Sequence, residues 1–428
     1  MKWGALLAVA AAMGAIAQQN DEVHVSGRPY TPPPLHLTAQ ATLVQLEVVV
    51  RDPRGQSVGG LKQDDFEILD EGKPRGVSAF SVVTRASIQA GMAQAATGNN
   101  PSAPAATPQA PPVRSTLLFF DDLHEGPGEL QRTQAAARRF IRDGMGPGAR
   151  AAVYASSDGI KLDFTSDSDA LIAAIGKLRS HQRVSENGLQ PCPRITPYQA
   201  FLIDNNLSVD ALNAAVQEAQ QCVNAAPSDD TPKSPNQRVT GRNPSLLTTM
   251  NVNPAVIGVR AQATATWQQS LADATNSLDA VRNALGLLSR APGTRVLLMV
   301  STGFLTGMMD VDRATAIDAA IHAGIVINSI DAKGLWSEAP ERGFGQEAQT
   351  TGVLPHATFM FENSTIGSRN DAVNEVMQEF AAGTGGLFFH NNNDLVGGFA
   401  TLGAVPETTY LLAFRPDEGA AGKYHKLK

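Results

Sequence analysis

Two carboxylates in succession, Asp121 and Asp122, close the apolar run 115–120, and His124 follows two residues later. Ser301 and Thr302 close a second apolar run, 296–300, and Asp331 a third, 325–330. Acids at a strand-to-helix junction bond the neighbouring loop or cap the next helix, whose first turn favours negative charge. A histidine beside acids is either a transition-metal ligand or a structural, hydrogen-bonded group. Asp331 is read as a hydrogen-bonded loop acid. No Gly-x-Ser-x-Gly, His-Glu-x-x-His or paired-carboxylate motif names a reaction. Residues 419–423, Gly-Ala-Ala-Gly-Lys, are too short for a phosphate-binding loop. Cys192 and Cys222 are the only cysteines, too few for a zinc site.

The elements that would hold these residues alternate between strand and helix. The run 115–120 has the unbroken apolarity of a strand covered on both faces. A helix over 129–143 and a strand over 151–154 complete a βαβ unit, followed by a strand at 160–164 and a helix carrying Leu171, Ile172, Ile175 and Leu178 on one face. Trp267, Leu271, Ala274, Leu278, Val281, Leu285 and Leu288 recur at spacings of four and three, which predicts a long core-facing helix. Strand and helix then pair at 296–300 with 311–322, and a strand at 325–330 is followed by a loop over 335–369. A helix over 371–382, a strand over 387–390 and a helix from Asp394 complete the pattern. The expected fold is α/β, a doubly wound, mostly parallel six-stranded sheet. Such sheets place their ligands beyond the carboxyl ends of the strands, where strand order reverses.

The 428 residues divide by composition. Residues 1–17 have the Lys-then-apolar pattern of a signal peptide, too short to span a bilayer. Residues 18–40 form a Pro-containing extended leader, and 41–85 alternate as a β segment. Residues 86–113 are an Ala/Pro/Gln/Ser linker unable to bury a core. The α/β domain occupies 114–405, with an irregular insertion over 180–260 that has one short helix near 209–222. A C-terminal β segment, 406–428, stops inside a strand-like pattern, as a truncated segment would. Export to a secreted or periplasmic location exposes Cys192 and Cys222 to an oxidising space and favours a disulfide between them. The formal charge of −7 disfavours a nucleic-acid binder, which would normally show a basic face, and no nucleic-acid partner is expected.

Taken in order, several stretches resemble a von Willebrand factor A domain, specifically the VWFA-related family common in Acidobacteria. Leu61, Asp65-Phe66, Gly72 and Phe80 look like that family's amino-terminal β segment, and Leu117 to His124 like its first sheet strand and metal-side loop. Asp163 to Asp167, Val300 to Gly303, Ile330 to Leu335 and Thr384 to Gly386 follow in family order. The resemblance covers roughly 40–428, outside the linker and insertion. By analogy with A domains inserted in β-sandwiches, residues 40–85 and 407–428 are expected to pair into one accessory β module.

The resemblance also implies a site. A domains hold Mg²⁺ with Asp-x-Ser-x-Ser after the first strand, a Thr from a later loop and an Asp after the fourth strand, leaving one position open for a partner's carboxylate. Here the frame from Asp121 gives Leu123 and Glu125, that from Asp122 gives His124 and Gly126, and Ser301-Thr302 replaces the later acid. Two readings follow. One is a degenerate metal-ion-dependent adhesion site in which Asp121, Asp122, His124, Ser301 and Thr302 bind Mg²⁺ or another divalent cation weakly. In the other, the acids are loop-bonding and helix-capping groups. The implied function is a non-catalytic protein-binding, adhesion or assembly module; the alternatives are a metal-assisted hydrolase and a structural envelope module with a vestigial site.

Overall fold

The computed structural model describes residues 43–52, 57–96, 114–182, 192–225, 253–335, 356–416 and 427. The expected signal segment and leader, and most of the linker, lie outside the described residues. Strand β5 (Arg114–Phe120) is buried along its whole length at the centre of a six-stranded sheet. Its neighbours are β6 (Ala149–Ala155) and β7 (Gly159–Thr165) on one side, and β8 (Thr294–Ser301), β9 (Ile325–Asp331) and β10 (Phe388–Phe389) on the other, giving the order β10-β9-β8-β5-β6-β7. All pairings are parallel except that of β7 with β6, which a turn of three residues joins as an antiparallel edge hairpin.

Alternation along β5 feeds two helical layers. Leu118 and Phe120 pack with helices α2 (Pro127–Asp143), α3 (Ser168–Ile175) and α9 (Leu395–Gly403) through Leu130, Phe140, Leu171, Ile175 and Phe399. Leu117 and Phe119 face α6 (Pro254–Leu288), α7 (Asp310–His322) and α8 (His356–Thr384) through Leu278, Val281, Ala316, Ala320 and Phe380. The expected doubly wound sheet, mostly parallel and six-stranded, is therefore present, with helices on both faces.

The expected accessory β module is present as well. Strand β11 (Thr408–Phe414) lies between β1 (Val44–Val48) and β4 (Val77–Thr84), antiparallel to both. Leu412 and Phe414 bury with Ile68, and Val44, Leu46, Phe66 and Phe80 pack around them. Strands β2 (Ile68–Asp70) and β3 (Lys73–Arg75) form a hairpin beside this sheet, and Asp70 makes an isolated bridge to Leu427.

Three stretches differ from the sequence reading. Residues 86–96, expected within the linker, belong to helix α1 (Arg85–Ala96), started by reciprocal bonds of Thr84 and Ser87. The buried Ile88 anchors it to the main core. Among its described residues the insertion contains α4 (Pro197–Asp204) and α5 (Val209–Ala225), and Cys192 and Cys222 are disulfide-bonded across them. Helix α8 begins at residue 356 rather than 371, because Phe361 buries against the insertion and Thr358 donates to the Ala214 carbonyl (3.3 Å). These added turns lack a helical apolar period of their own; contacts distant in sequence stabilise them.

Helix α6 is 35 residues long, about 50 Å at 1.5 Å per residue. It starts with Asn253 accepting from the Ala255 N–H (3.0 Å) and Pro254 in the first turn. Its second half packs on the sheet, antiparallel to β8, which follows it. Its first half therefore projects past the carboxyl ends of the strands, where Val259, Ala263 and Trp267 meet α4, α5 and the start of α8 in a separate core with Ile203, Ala211 and Phe361. The sheet edge that holds the candidate residues thus has a helical layer standing on it.

Candidate functional site

Strands β5 and β8 are adjacent, and their connections leave in opposite directions, so their carboxyl ends mark the switch point of the sheet. Asp121 and Asp122 follow β5, and Ser301 ends β8. All three are almost wholly buried, at 0%, 1% and 0% exposure. The Asp121 N–H donates to the Val300 carbonyl (2.9 Å), extending the β5–β8 pairing by one residue and fixing the carboxylate between the strands.

The Asp121 carboxylate is surrounded by donors. Ser277 Oγ donates to Oδ1 (2.8 Å), Ser301 Oγ to Oδ2 (2.7 Å), and His124 Nδ1 lies 2.9 Å from Oδ2. His124 Nδ1 is also 3.2 Å from Ser277 Oγ, and its ring stacks on Phe304 with centroids 4.7 Å apart. The His124 side chain is 16% exposed. Burial opposes its charged form, but Asp121, helped by Asp273 and Asp122, reverses the sign and raises its pKa. Burial likewise opposes an ionised Asp121, yet His124 and the two serine hydroxyls hold its carboxyl below the usual range. The two groups form a buried hydrogen-bonded pair in which each favours the other's charged form.

Asp122 points the other way, into the β6–β7 turn. Ser156 Oγ and the Ser157 N–H donate to Oδ1 (both 2.9 Å), Ser157 Oγ donates to Oδ2 (2.6 Å), and His181 Nδ1 lies 2.8 Å from Oδ2. Neither acid caps α2, whose N-cap is Gly126 without a side-chain bond; the helix-capping role expected for them is corrected to one of joining loops. Thr302 Oγ1 donates to the His124 carbonyl (2.9 Å). The turn that returns Thr302 over His124 needs Gly303, whose φ is +77° and whose absent Cβ would run into the Val373 carbonyl.

Two further buried groups complete the edge. Glu125 accepts from Thr133 Oγ1 (2.7 Å), while its Oε1 has no hydrogen-bond partner among the described residues. Burial pushes its carboxyl well above the ordinary range, and nearby Asp121 and Asp122 push the same way, favouring the neutral acid. Lys333 donates to the Thr302 carbonyl (2.6 Å) and to Asn374 Oδ1 (2.8 Å), and lies 3.2 Å from Asp331 Oδ1. Asp331 is the hydrogen-bonded loop acid expected of it.

The structure thus brings Asp121, His124, Ser301 and Thr302 into one cluster, with Asp122 adjoining it on a separate set of donors. Chemically, a carboxylate with two serine hydroxyls resembles the hard-oxygen set that holds Mg²⁺. As placed, these groups fit one another rather than an ion. The imidazole nitrogen lies within 3.2 Å of both Asp121 and Ser277, two of the groups an ion would need. Among the described residues, no group of three or more His, Cys, Asp and Glu has a metal-holding arrangement.

Sequence reasoning missed Ser277, His181, Ser156, Ser157 and Lys333. For Ser277 a signal existed: it is three residues beyond Ala274 and four before Val281, a polar residue on the core-facing stripe of α6. The others lie on loops, where no periodicity marks a residue as inward-facing.

The strand order and the helices on both faces define a doubly wound, mostly parallel α/β fold with a polar cluster at its switch point. Among solved structures the chain is similar to an aerotolerance-related membrane protein from Bacteroides fragilis, at 13% identity and a TM-score of 0.30 over 68% of this chain and 98% of that one. It is also similar to the conserved hypothetical protein BatB from Bacteroides thetaiotaomicron (11%, TM-score 0.28, 67% and 95% covered). A third similar structure is the vWF domain of the type V pili tip protein Mfa5 from Porphyromonas gingivalis (11%, TM-score 0.24, 68% and 94% covered). No family model and no curated protein matches the chain. No helix among the described residues is long and apolar enough to cross a membrane.

Proposed function

We propose that the chain is a non-catalytic, secreted or periplasmic protein-binding module for adhesion or assembly, and that it works without a cation at Asp121. The observation that carries this reading is the His124–Asp121 contact of 2.9 Å. A partner's carboxylate completes a metal-dependent A-domain site only where the metal has an open position. In this chain the His124 ring and two serine hydroxyls already occupy the acid, and burial closes the cluster to a partner. Recognition then falls to the helical layer of α4, α5 and the projecting halves of α6 and α8. That layer rests on the switch-point edge and has its own core and a disulfide.

The test has two arms. In calorimetry, Mg²⁺, Mn²⁺ and Ca²⁺ at millimolar concentration are expected to give no binding heat with the purified chain. Heat that disappears in Asp121→Ala overturns the cation-free reading. In the second arm, the immobilised chain is exposed to envelope proteins from its source cells in EDTA and in Mg²⁺. The same partner is expected in both. A partner held only with Mg²⁺ overturns cation independence, and no retained partner overturns the binding-module reading.

A further inference from the structure

Beside the switch-point cluster three side chains of complementary reactivity meet: the amine of Lys333, the amide of Asn374 and the carboxyl of Asp331. Lys333 Nζ donates to Asn374 Oδ1 (2.8 Å) and lies 3.2 Å from Asp331 Oδ1, while Asn374 Nδ2 lies 3.4 Å from Asp331 Oδ2. Each group therefore touches the other two. Asp331 is 1% exposed and Asn374 8%, and the Lys333 side chain 23%. Asp331 ends β9 and Lys333 follows it, whereas Asn374 belongs to α8, 41 residues beyond the lysine.

The surroundings favour a reaction over a simple ion pair. Burial pushes the Lys333 amine down and the Asp331 carboxyl up, each toward its neutral form and against their mutual attraction. A desolvated lysine that has lost its extra proton is a nucleophile. The Thr302 carbonyl (2.6 Å) and Asp331 take up the two N–H groups of the neutral amine, which turns its lone pair toward the Asn374 amide. Gly303 allows this approach, because a Cβ there would lie 3.1 Å from Asn374 Oδ1. Asp331 holds one oxygen at the nucleophile and the other at the amide nitrogen that would leave, the placement a shuttle of protons needs.

We propose that Lys333 and Asn374 join in an intramolecular isopeptide bond, with Asp331 carrying the protons. The Lys333 Nζ lone pair attacks Asn374 Cγ, the Nζ–Cγ bond forms and the Cγ–Nδ2 bond breaks. Two protons pass from the lysine ammonium through Asp331 to the departing nitrogen, which leaves as ammonium, and the Asp331 carboxylate is restored. The step consumes no oxidant, reductant or co-reactant. Asn374 lines the open cleft between α8 and β10, which gives the ammonium a way out to solvent. The bond ties the end of β9 to α8 and holds whatever the module binds.

The test is the intact mass of the purified full chain, measured under reducing conditions so that the disulfide does not contribute. The chain is expected to be lighter than its sequence by about 17 Da, one ammonia. Its tryptic digest is expected to contain a branched peptide joining Lys333 to Asn374. Lys333→Arg keeps the cation without the nucleophile, and Asp331→Asn keeps hydrogen bonding without carrying protons, so both are expected to show full mass. A wild-type chain of full mass overturns the proposal. So does a digest without the branched peptide, or a mass loss that persists in either variant, as ammonia shed elsewhere in the chain would. Should a variant fail to fold, the wild-type mass and digest decide by themselves.

Discussion

His124 Nδ1 and Asp121 Oδ2 stand 2.9 Å apart at the switch point of the sheet, the carboxylate fully buried and the imidazole 16% exposed. Coulomb attraction at that separation, with hydroxyls from Ser277 and Ser301 on the remaining lone pairs, offsets the desolvation of both charges. Removing one partner leaves the other buried without compensation. Asp121→Ala and His124→Ala are each expected to destabilise the protein by about 3–5 kcal/mol. The double variant should lose much less than the sum, because the second substitution removes a charge already stranded by the first. Urea unfolding of the three variants measures this; additive losses would show that the two groups do not act as a pair.

The same cluster sets a dependence on pH. His124 has a raised folded pKa, so its contribution is complete below the unfolded value of about 6.5 and is lost as pH rises through the folded one. Glu125, pushed up by burial, works in the same direction: the fold prefers its neutral form, and stability falls as pH rises above the usual glutamate range. Asp121 has the opposite sign, since its lowered pKa gives stability above the ordinary carboxylate range that is lost in acid. The groups facing His124 are Asp121, Asp122 and Asp273, all acidic, so no nearby cation reverses the expectation. Urea midpoints should therefore decline from pH 6 to pH 9, and Glu125→Gln should flatten part of that decline. A midpoint constant over this range would contradict the charge assignment.

The sheet was legible in the sequence because its strands are continuous apolar runs bounded by Asp121, Ser301 and Asp331, and its long helix because Trp267 to Leu288 keeps a strict period. The pairing of the two chain ends was legible only by analogy, since nothing local in 408–414 says that its partners lie more than 300 residues away. What escaped was stabilised by distant contacts: the early turns of α8 against α5, and Ser277 against Asp121, 156 residues apart. Spacing in the 121–126 loop disclosed the loss of the expected hydroxyls. It could not disclose that α6 and β8 return two of them from other elements.

Strand β11 is the middle strand of the accessory sheet, so β1 and β4 meet only through it. Tyr410 is fully buried there; its hydroxyl donates to the Val58 carbonyl (2.9 Å) and accepts from the Leu61 N–H (3.1 Å), fastening the loop before β2. Tyr410→Phe keeps the ring packing against Phe66 (5.0 Å) and removes both bonds, with an expected loss of about 1–3 kcal/mol. Deleting residues 407–428 should be far more damaging, exposing the inner faces of both flanking strands. Thermal melts of the two variants check the order; equal, small losses would mean that the accessory sheet folds without its central strand.

The disulfide Cys192–Cys222 closes a loop of 30 residues that contains α4 and nearly all of α5. On a chain-entropy basis a loop of this length contributes about 3–4 kcal/mol, and the helices it encloses have a small core of largely alanine contacts with Ile203 and Trp267. The sheet domain has its own two cores and does not rely on the bridge. Reduction should therefore act locally, raising the exchange rate of α4 and α5 amide hydrogens by about two orders of magnitude while leaving those of α2 and β5 unchanged. Exchange measured with and without reductant decides this. Equal acceleration in β5 would mean that the helical layer and the sheet unfold as one unit, and the projecting half of α6, which joins them, would then be the element that couples them.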